Sequence, residues 1–237
     1  MIGLRKLVKA AQASLPVATF VLIFQIAAVA QDQPTAHDLG VKAMQLQEAG
    51  KLPEAAEIYR KAIQLNPKGA AYHNNFALVL KDMNQLSEAE QEARTALKLR
   101  PKRADYHYNL GIILQRQNKP EAAEQEFREA CAIDAMDTEF HYRLAQALQQ
   151  ENKYPEAEQE IKLALMLKPD QPAYHQLFGD ILLLQKREEE ALNEYQKVIR
   201  APGATANGDL QNKIDYLRQV LKHDRTKSGT AGNQSSQ

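Results

Sequence analysis

The sequence predicts an all-α solenoid of stacked helix pairs, and three observations lead there. Pro67, Pro101 and Pro169 fall on one 34-residue grid with Ala135 at the vacant node, and Ala55, Ala89, Ala123, Ala157 and Ala191 keep the same interval, as do Ala62, Ala96, Ala130 and Ala164. Within each period the apolar residues recur at helical spacing on two successive stretches. Turn residues separate those stretches, as in Asn118-Lys119-Pro120-Glu121. A unit of this length cannot bury its apolar face alone, so the copies must stack.

The elements follow in order. The first period, about residues 36–69, carries Leu39, Ala43, Leu46, Ala55, Tyr59, Ala62 and Pro67, with Lys42 at a place that is apolar elsewhere, which suits a terminal unit with one face in water. The second, about 70–103, has His73, Phe76, Ala77, Leu80, Ala89, Ala93, Ala96 and Pro101. In the third, about 104–137, His107, Leu110, Gly111 and Leu114 form one helical face and Ala123, Phe127 and Ala130 the other. Pro120 suits a first helical turn, where its missing N–H is no loss, and Glu121 and Glu124 place negative charge at the positive helix end. The fourth, about 138–171, and the fifth, about 172–203, repeat the pattern through His141, Leu144, Ala145, Leu148, Ala157, Ile161 and Ala164, and through His175, Phe178, Gly179, Leu182, Ala191 and Tyr195. Leu210, Ile214, Leu217 and Leu221 then predict a C-terminal capping helix over 209–223, and the polar run 224–237 is expected to be disordered.

These residues resemble the tetratricopeptide repeat, whose signature runs Trp-x2-Leu-Gly-x2-Tyr, then Ala-x3-Phe, then Pro. The third copy reads His107-x2-Leu110-Gly111-x2-Leu114 and then Ala123-x3-Phe127. Five copies covering roughly 36–203 carry the likeness. It implies a right-handed α-solenoid of helix–turn–helix repeats, with small residues such as Gly111, Gly179, Ala43, Ala77 and Ala145 where helices approach closely. It also implies a non-catalytic scaffold or adapter that holds a partner protein in the concave groove of the first helices. By resemblance that groove includes Asn74, Leu78, Tyr108, Asn109, Ile112, Tyr142, Arg143, Gln146, Gln176 and Asp180, with Tyr108 and Tyr142 as apolar contacts and the polar residues as selectors. The expected occupant is an extended peptide or an amphipathic helix. Family members that clamp a C-terminal carboxylate use Lys, Asn and Arg on three successive repeats. Only Asn109 and Arg143 match here, and Glu139 would repel the carboxylate, so that mode is not expected.

Other functions find less support. Of the 237 residues, 44% are hydrophobic and 25% charged, as in ordinary soluble proteins, and the formal charge is zero. Without the leading segment, 27 basic residues face 30 acidic ones, a balance that speaks against nucleic acid. Phosphate-cradling loops, an HExxH zinc motif and a GxSxG elbow are absent from the sequence, so neither catalysis nor a cofactor is expected. His73, His107, His141 and His175 repeat once per unit, about a helix-packing distance apart, too far to share one metal ion. They are expected to pack and hydrogen-bond, with no metal. Cys131 is the single cysteine, expected as a buried, inert thiol.

Residues 1–30 read as a signal peptide or an N-terminal membrane anchor. Arg5, Lys6 and Lys9 precede an apolar stretch interrupted by Pro16, Thr19 and Gln25, which ends in Ala28-Val29-Ala30, a small-residue cleavage pattern. A protein outside the cytosol, periplasmic or secreted, is therefore expected, with any membrane contact made through this segment if it stays uncleaved. Two alternatives remain open: a membrane-tethered structural subunit of a cell-envelope assembly, and an accessory subunit of an enzyme complex.

Overall fold

A computed structural model describes residues 34–200 and 208–231. The segment read as a signal or anchor and the link around Pro202 lie outside these residues. Among the described residues every regular element is an α-helix. The chain forms two compact units, the first ending at Lys68 and the second beginning at Gly69.

The first unit is one helix pair, α1 (Ala36–Glu48) and α2 (Leu52–Leu65), packed on each other. A capping box starts α1: the Thr35 hydroxyl accepts from the Asp38 N–H at 3.2 Å, and the Asp38 carboxylate accepts from the Thr35 N–H at 2.9 Å. Leu39 and Ala43 meet Ala55, Tyr59 and Ala62 in the interior, while Lys42 is exposed.

The second unit continues with α3 (Ala70–Asp82), α4 (Leu86–Leu99), α5 (Ala104–Arg116), α6 (Pro120–Ile133), α7 (Thr138–Gln150), α8 (Tyr154–Leu167), α9 (Pro172–Leu184), α10 (Glu188–Arg200) and α11 (Gly208–Ala231). Each first helix packs on its own second helix, and each second helix on the first helix of the following pair, up to α10 on α11. The final helix runs to Ala231, past the end expected at residue 223. The expected disordered tail therefore begins in helix, and residues 232–237 lie outside the described residues.

The turn inside each pair is the same local device. Gly50, Asn84, Asn118, Asn152 and Lys186 all have φ between 59° and 72°. In the second pair Asn84 N–H bonds to the Lys81 carbonyl at 3.0 Å and Gln85 N–H to the Leu80 carbonyl at 2.8 Å, the Schellman pattern, and the equivalent bonds recur in the other four. A left-handed residue here satisfies carbonyls that the helix end would leave without partners.

Close approach of the paired helices explains the recurrent small residue. A Cβ placed on Gly111 would lie 2.5 Å from Cε1 of Phe127, and one on Gly179 would lie 2.5 Å from Cε1 of Tyr195. Both rings are fully buried. At the equivalent positions of α3 and α4, Ala77 and Ala93 are both buried, so a small second-helix partner lets the first helix carry a methyl.

Candidate binding surface

The first helices of the second unit carry all ten residues expected to line a groove. Tyr108 is half-buried, its ring centroid 6.1 Å from that of Phe127 in its own pair and 5.2 Å from that of Phe140 in the next. Tyr142 is likewise half-buried and stacks on Tyr174 of the following repeat at 4.9 Å. One polar network joins the two rings. The Tyr108 hydroxyl donates to Glu139 at 3.3 Å, and Arg143 Nε donates to the same carboxylate oxygen at 2.8 Å. Arg143 Nη1 donates to Gln146 Oε1 at 3.2 Å, and Gln146 Nε2 donates to the Tyr142 hydroxyl at 2.9 Å. The Arg143 guanidinium also lies over the Tyr142 ring, 5.6 Å from its centroid.

Electrostatics keep this patch neutral in sum. Burial, then the Glu139 carboxylate, pushes the Tyr108 phenol up, and burial does the same at Tyr142, so both hydroxyls stay protonated. Arg143 is paired with Glu139, which removes the free cation that a terminal carboxylate would need. Leu78, Ile112 and Gln176 are part-exposed on neighbouring turns.

Three of the expected selectors already have partners within the chain. Asn74 is only 5% exposed; it accepts from Asn109 Nδ2 at 2.9 Å and donates to Asn75 at 3.1 Å. The Asn74–Asn109 bond ties successive first helices together, so this pair helps to hold the stack. Asp180 accepts from the Tyr195 hydroxyl at 2.7 Å and from Lys213 Nζ at 3.0 Å, which fastens α11 to the last pair. Conversely, Glu139 and Tyr174 were not among the expected groove residues, although Glu139 and Arg143 stand at the i, i+4 spacing of a helical ion pair.

Two further ladders run through the second unit. His73, His107, His141 and His175 each meet, through Nδ1, a glutamate nineteen residues on: Glu92 at 2.6 Å, and Glu126, Glu160 and Glu194 at 2.7 Å. The His107, His141 and His175 rings also hold a loop carbonyl through Nε2: Pro101 at 2.9 Å, Ala135 at 3.1 Å and Pro169 at 2.7 Å. The histidines thus pin first helix, second helix and incoming loop. The other ladder links repeats: Glu90 with Lys119 at 2.9 Å, Glu124 with Lys153 at 2.6 Å and Glu158 with Arg187 at 2.7 Å.

Cys131 departs from the expected environment. It is partly buried rather than buried, and it stands beside His141 and Glu160. The hydrogen bond with the Cys131 sulfur, followed by that with Glu160, outweighs burial and pushes the His141 imidazole up to about 10.

Comparison with known proteins agrees with this architecture. The tetratricopeptide repeat family matches twice, over residues 74–138 and over residues 114–181. It is a tetratricopeptide-repeat protein with the α-solenoid fold, a fold that generally serves protein interaction rather than catalysis. Among solved structures it is similar to PilF of Pseudomonas aeruginosa, at 24% identity over 84% of this chain and 89% of that one, with a TM-score of 0.69. MamA from Desulfovibrio magneticus RS-1 is 17% identical over 73% of this chain and 97% of that one, with a TM-score of 0.68. YrrB, described as a TPR protein with an unusual peptide-binding site, is 21% identical over 83% of this chain and 97% of that one, with a TM-score of 0.65. These likenesses establish the fold. No curated protein matches the sequence. Among the described residues, no helix is long and apolar enough to cross a membrane.

Proposed function

We propose that the protein recruits or scaffolds another protein by holding an extended segment or amphipathic helix against the first-helix face of α5, α7 and α9, outside the cytosol. The observation that carries this reading is the connected patch of Tyr108, Glu139, Arg143, Gln146 and Tyr142. Two aromatic rings are half-exposed, and neighbouring rings and hydrogen bonds hold them in one orientation. Pre-oriented tyrosines offer large amphipathic contact area and lose little side-chain freedom on binding. Because Glu139 occupies Arg143, the patch suits an internal peptide segment presenting apolar and amide groups over a free C-terminus. The likeness to YrrB supports a peptide ligand, and residues 1–30 support export.

Peptides selected from a displayed random library against the full chain test the binding mode by fluorescence anisotropy. Affinities of about micromolar are expected, as for exchangeable adapters. Tyr142→Ala and Gln146→Ala should each weaken binding, the tyrosine change by about tenfold or more. Retention of wild-type affinity by a folded Tyr108→Ala/Tyr142→Ala double variant would refute the site. Mass spectrometry of the native N-terminus addresses location: a chain beginning at Gln31 supports cleavage and release, and an intact N-terminus in the cytosolic fraction overturns export.

A further inference from the structure

The repeated histidine–glutamate pair has one member with a third neighbour. In the three rings held by a loop carbonyl, Nε2 must carry a hydrogen, because a carbonyl only accepts. Nδ1 then faces a glutamate carboxylate at 2.7 Å. For His107 and His175, the second-helix position thirty-four residues either side of Cys131 carries Leu97 and Leu165, apolar side chains that offer no third ligand. At His141 that position is Cys131. Its Sγ, an imidazole nitrogen of His141 and a carboxylate oxygen of Glu160 lie within 4.8 Å of one another.

We propose that Cys131, His141 and Glu160 form a three-ligand site for a borderline-soft divalent ion of the zinc type, its fourth position open to water or to a group from a partner. Sulfur, imidazole nitrogen and carboxylate oxygen together suit zinc or cobalt and not magnesium or calcium. Ligand atoms bound tetrahedrally at zinc distances are roughly 3.3–3.6 Å apart, so His141 Nδ1 and the Glu160 oxygen, 2.7 Å apart without metal, must part to admit the ion, while Cys131 Sγ, within 4.8 Å of them, completes the set. The bond from His141 Nε2–H to the Ala135 carbonyl is the outer contact that commonly orients a metal-binding histidine and leaves Nδ1 to ligate. As the single cysteine, Cys131 has no intrachain disulfide partner to compete with this role. The ion would join α6 to α7 and α8 across a repeat boundary.

Cobalt(II) titration of the reduced, tag-free full chain tests the site, with Zn2+ added afterwards as competitor. The expected result is one equivalent of Co2+ giving a thiolate-to-cobalt charge-transfer band and the visible bands of tetrahedral cobalt, both erased by Zn2+, with uptake strengthening as pH rises. Cys131→Leu copies the residue of the neighbouring repeats and preserves packing; it should abolish the charge-transfer band and weaken Zn2+ binding by more than about a hundredfold. Glu126→Gln, which alters the His107 pair, should leave both unchanged. Absence of the band from the wild type, or Zn2+ affinity in Cys131→Leu within a few-fold of wild type, overturns the proposal. Zn2+ should also raise the unfolding midpoint of the wild type and not that of Cys131→Leu; an equal rise in both places the ion elsewhere and overturns the assignment.

Discussion

Gly111→Ala isolates the contact on which pairing within a repeat depends. The added Cβ would stand 2.5, 2.8 and 2.9 Å from Cε1, Cδ1 and Cζ of Phe127, where carbon contacts ordinarily settle at about 3.5–4.0 Å. The ring must therefore retreat by about 1 Å. It has little room, being fully buried with Tyr108 packed at 6.1 Å. Overpacking of this kind costs about 1–3 kcal/mol, and the better helix propensity of alanine returns about 1 kcal/mol. The net expectation is destabilisation by about 1 kcal/mol.

A double-mutant cycle separates the two terms. Phe127→Ala alone should cost about 3–5 kcal/mol through the cavity it leaves. With the ring gone, Gly111→Ala should change sign and stabilise by about 1 kcal/mol, since only propensity remains. Ala77 with Ala93 is the natural precedent for that combination. Urea unfolding followed by far-ultraviolet circular dichroism measures all four proteins, and the coupling should be about 2 kcal/mol. Stabilisation by Gly111→Ala of equal size in both backgrounds would mean that the ring does not dictate the glycine, and the packing argument would fall.

Two further expectations concern single side chains. Lys186 is held at φ 60°, where the equivalent turns carry Asn or Gly, so Lys186→Asn should raise stability by about 0.5–1 kcal/mol in the same unfolding assay; an unchanged or lowered midpoint contradicts the strain. Burial alone would push the Glu158 carboxyl up, but hydrogen bonds from Arg187, Lys162 and Gln185 outweigh it and hold the group at about 2, against 4.5 unfolded. A depressed acid stabilises above its unfolded value, and that stability is lost as pH falls from about 4.5 to about 2. Because Lys162 is half-exposed and solvent screens the pair, the loss should be about 1 kcal/mol. Urea midpoints at stepped pH should therefore fall less steeply for Glu158→Gln than for wild type; parallel curves refute the linkage.

The repeat was legible because packing imposes it. The Ala123 position is a buried alanine in all five pairs, and the Phe127 position is large in all but the second, where Ala93 stands; apolar periodicity records such demands directly. Polar partners leave a weaker record. The four histidines stand out in the sequence, but their glutamates lie on the second helices among many other charged residues, and only the fold shows which carboxylate each ring meets. Asn74 read as a groove residue because its position on one helix borders the apolar stripe; the next repeat covers it with Asn109. The sequence is equally silent on Asp180, which Lys213 reaches from thirty-three residues away.

What the period does reveal, once the contacts are known, is where a copy departs from its siblings. Ala135 replaces the proline of other loops without loss to His141, because the acceptor there is backbone. Glu151 is a sharper departure. Its equivalents in the adjoining repeats are Gln117 and Gln185, neutral amides beside Glu90 and Glu158, and both help to lower those carboxyls. Glu151 instead sets a second carboxyl beside Glu124, and burial first, then Glu124, pushes it up. Lys153 answers by bonding both, at 2.6 Å to Glu124 and 2.8 Å to Glu151. Cys131, Arg143 and Glu151 all lie where the third repeat meets the fourth, on α6, α7 and the turn after it. Stacking alone would be met by the leucine, glutamine and asparagine of the neighbouring copies. The concentration of reactive and charged departures at this one junction is therefore the chemical reason to look there for a ligand.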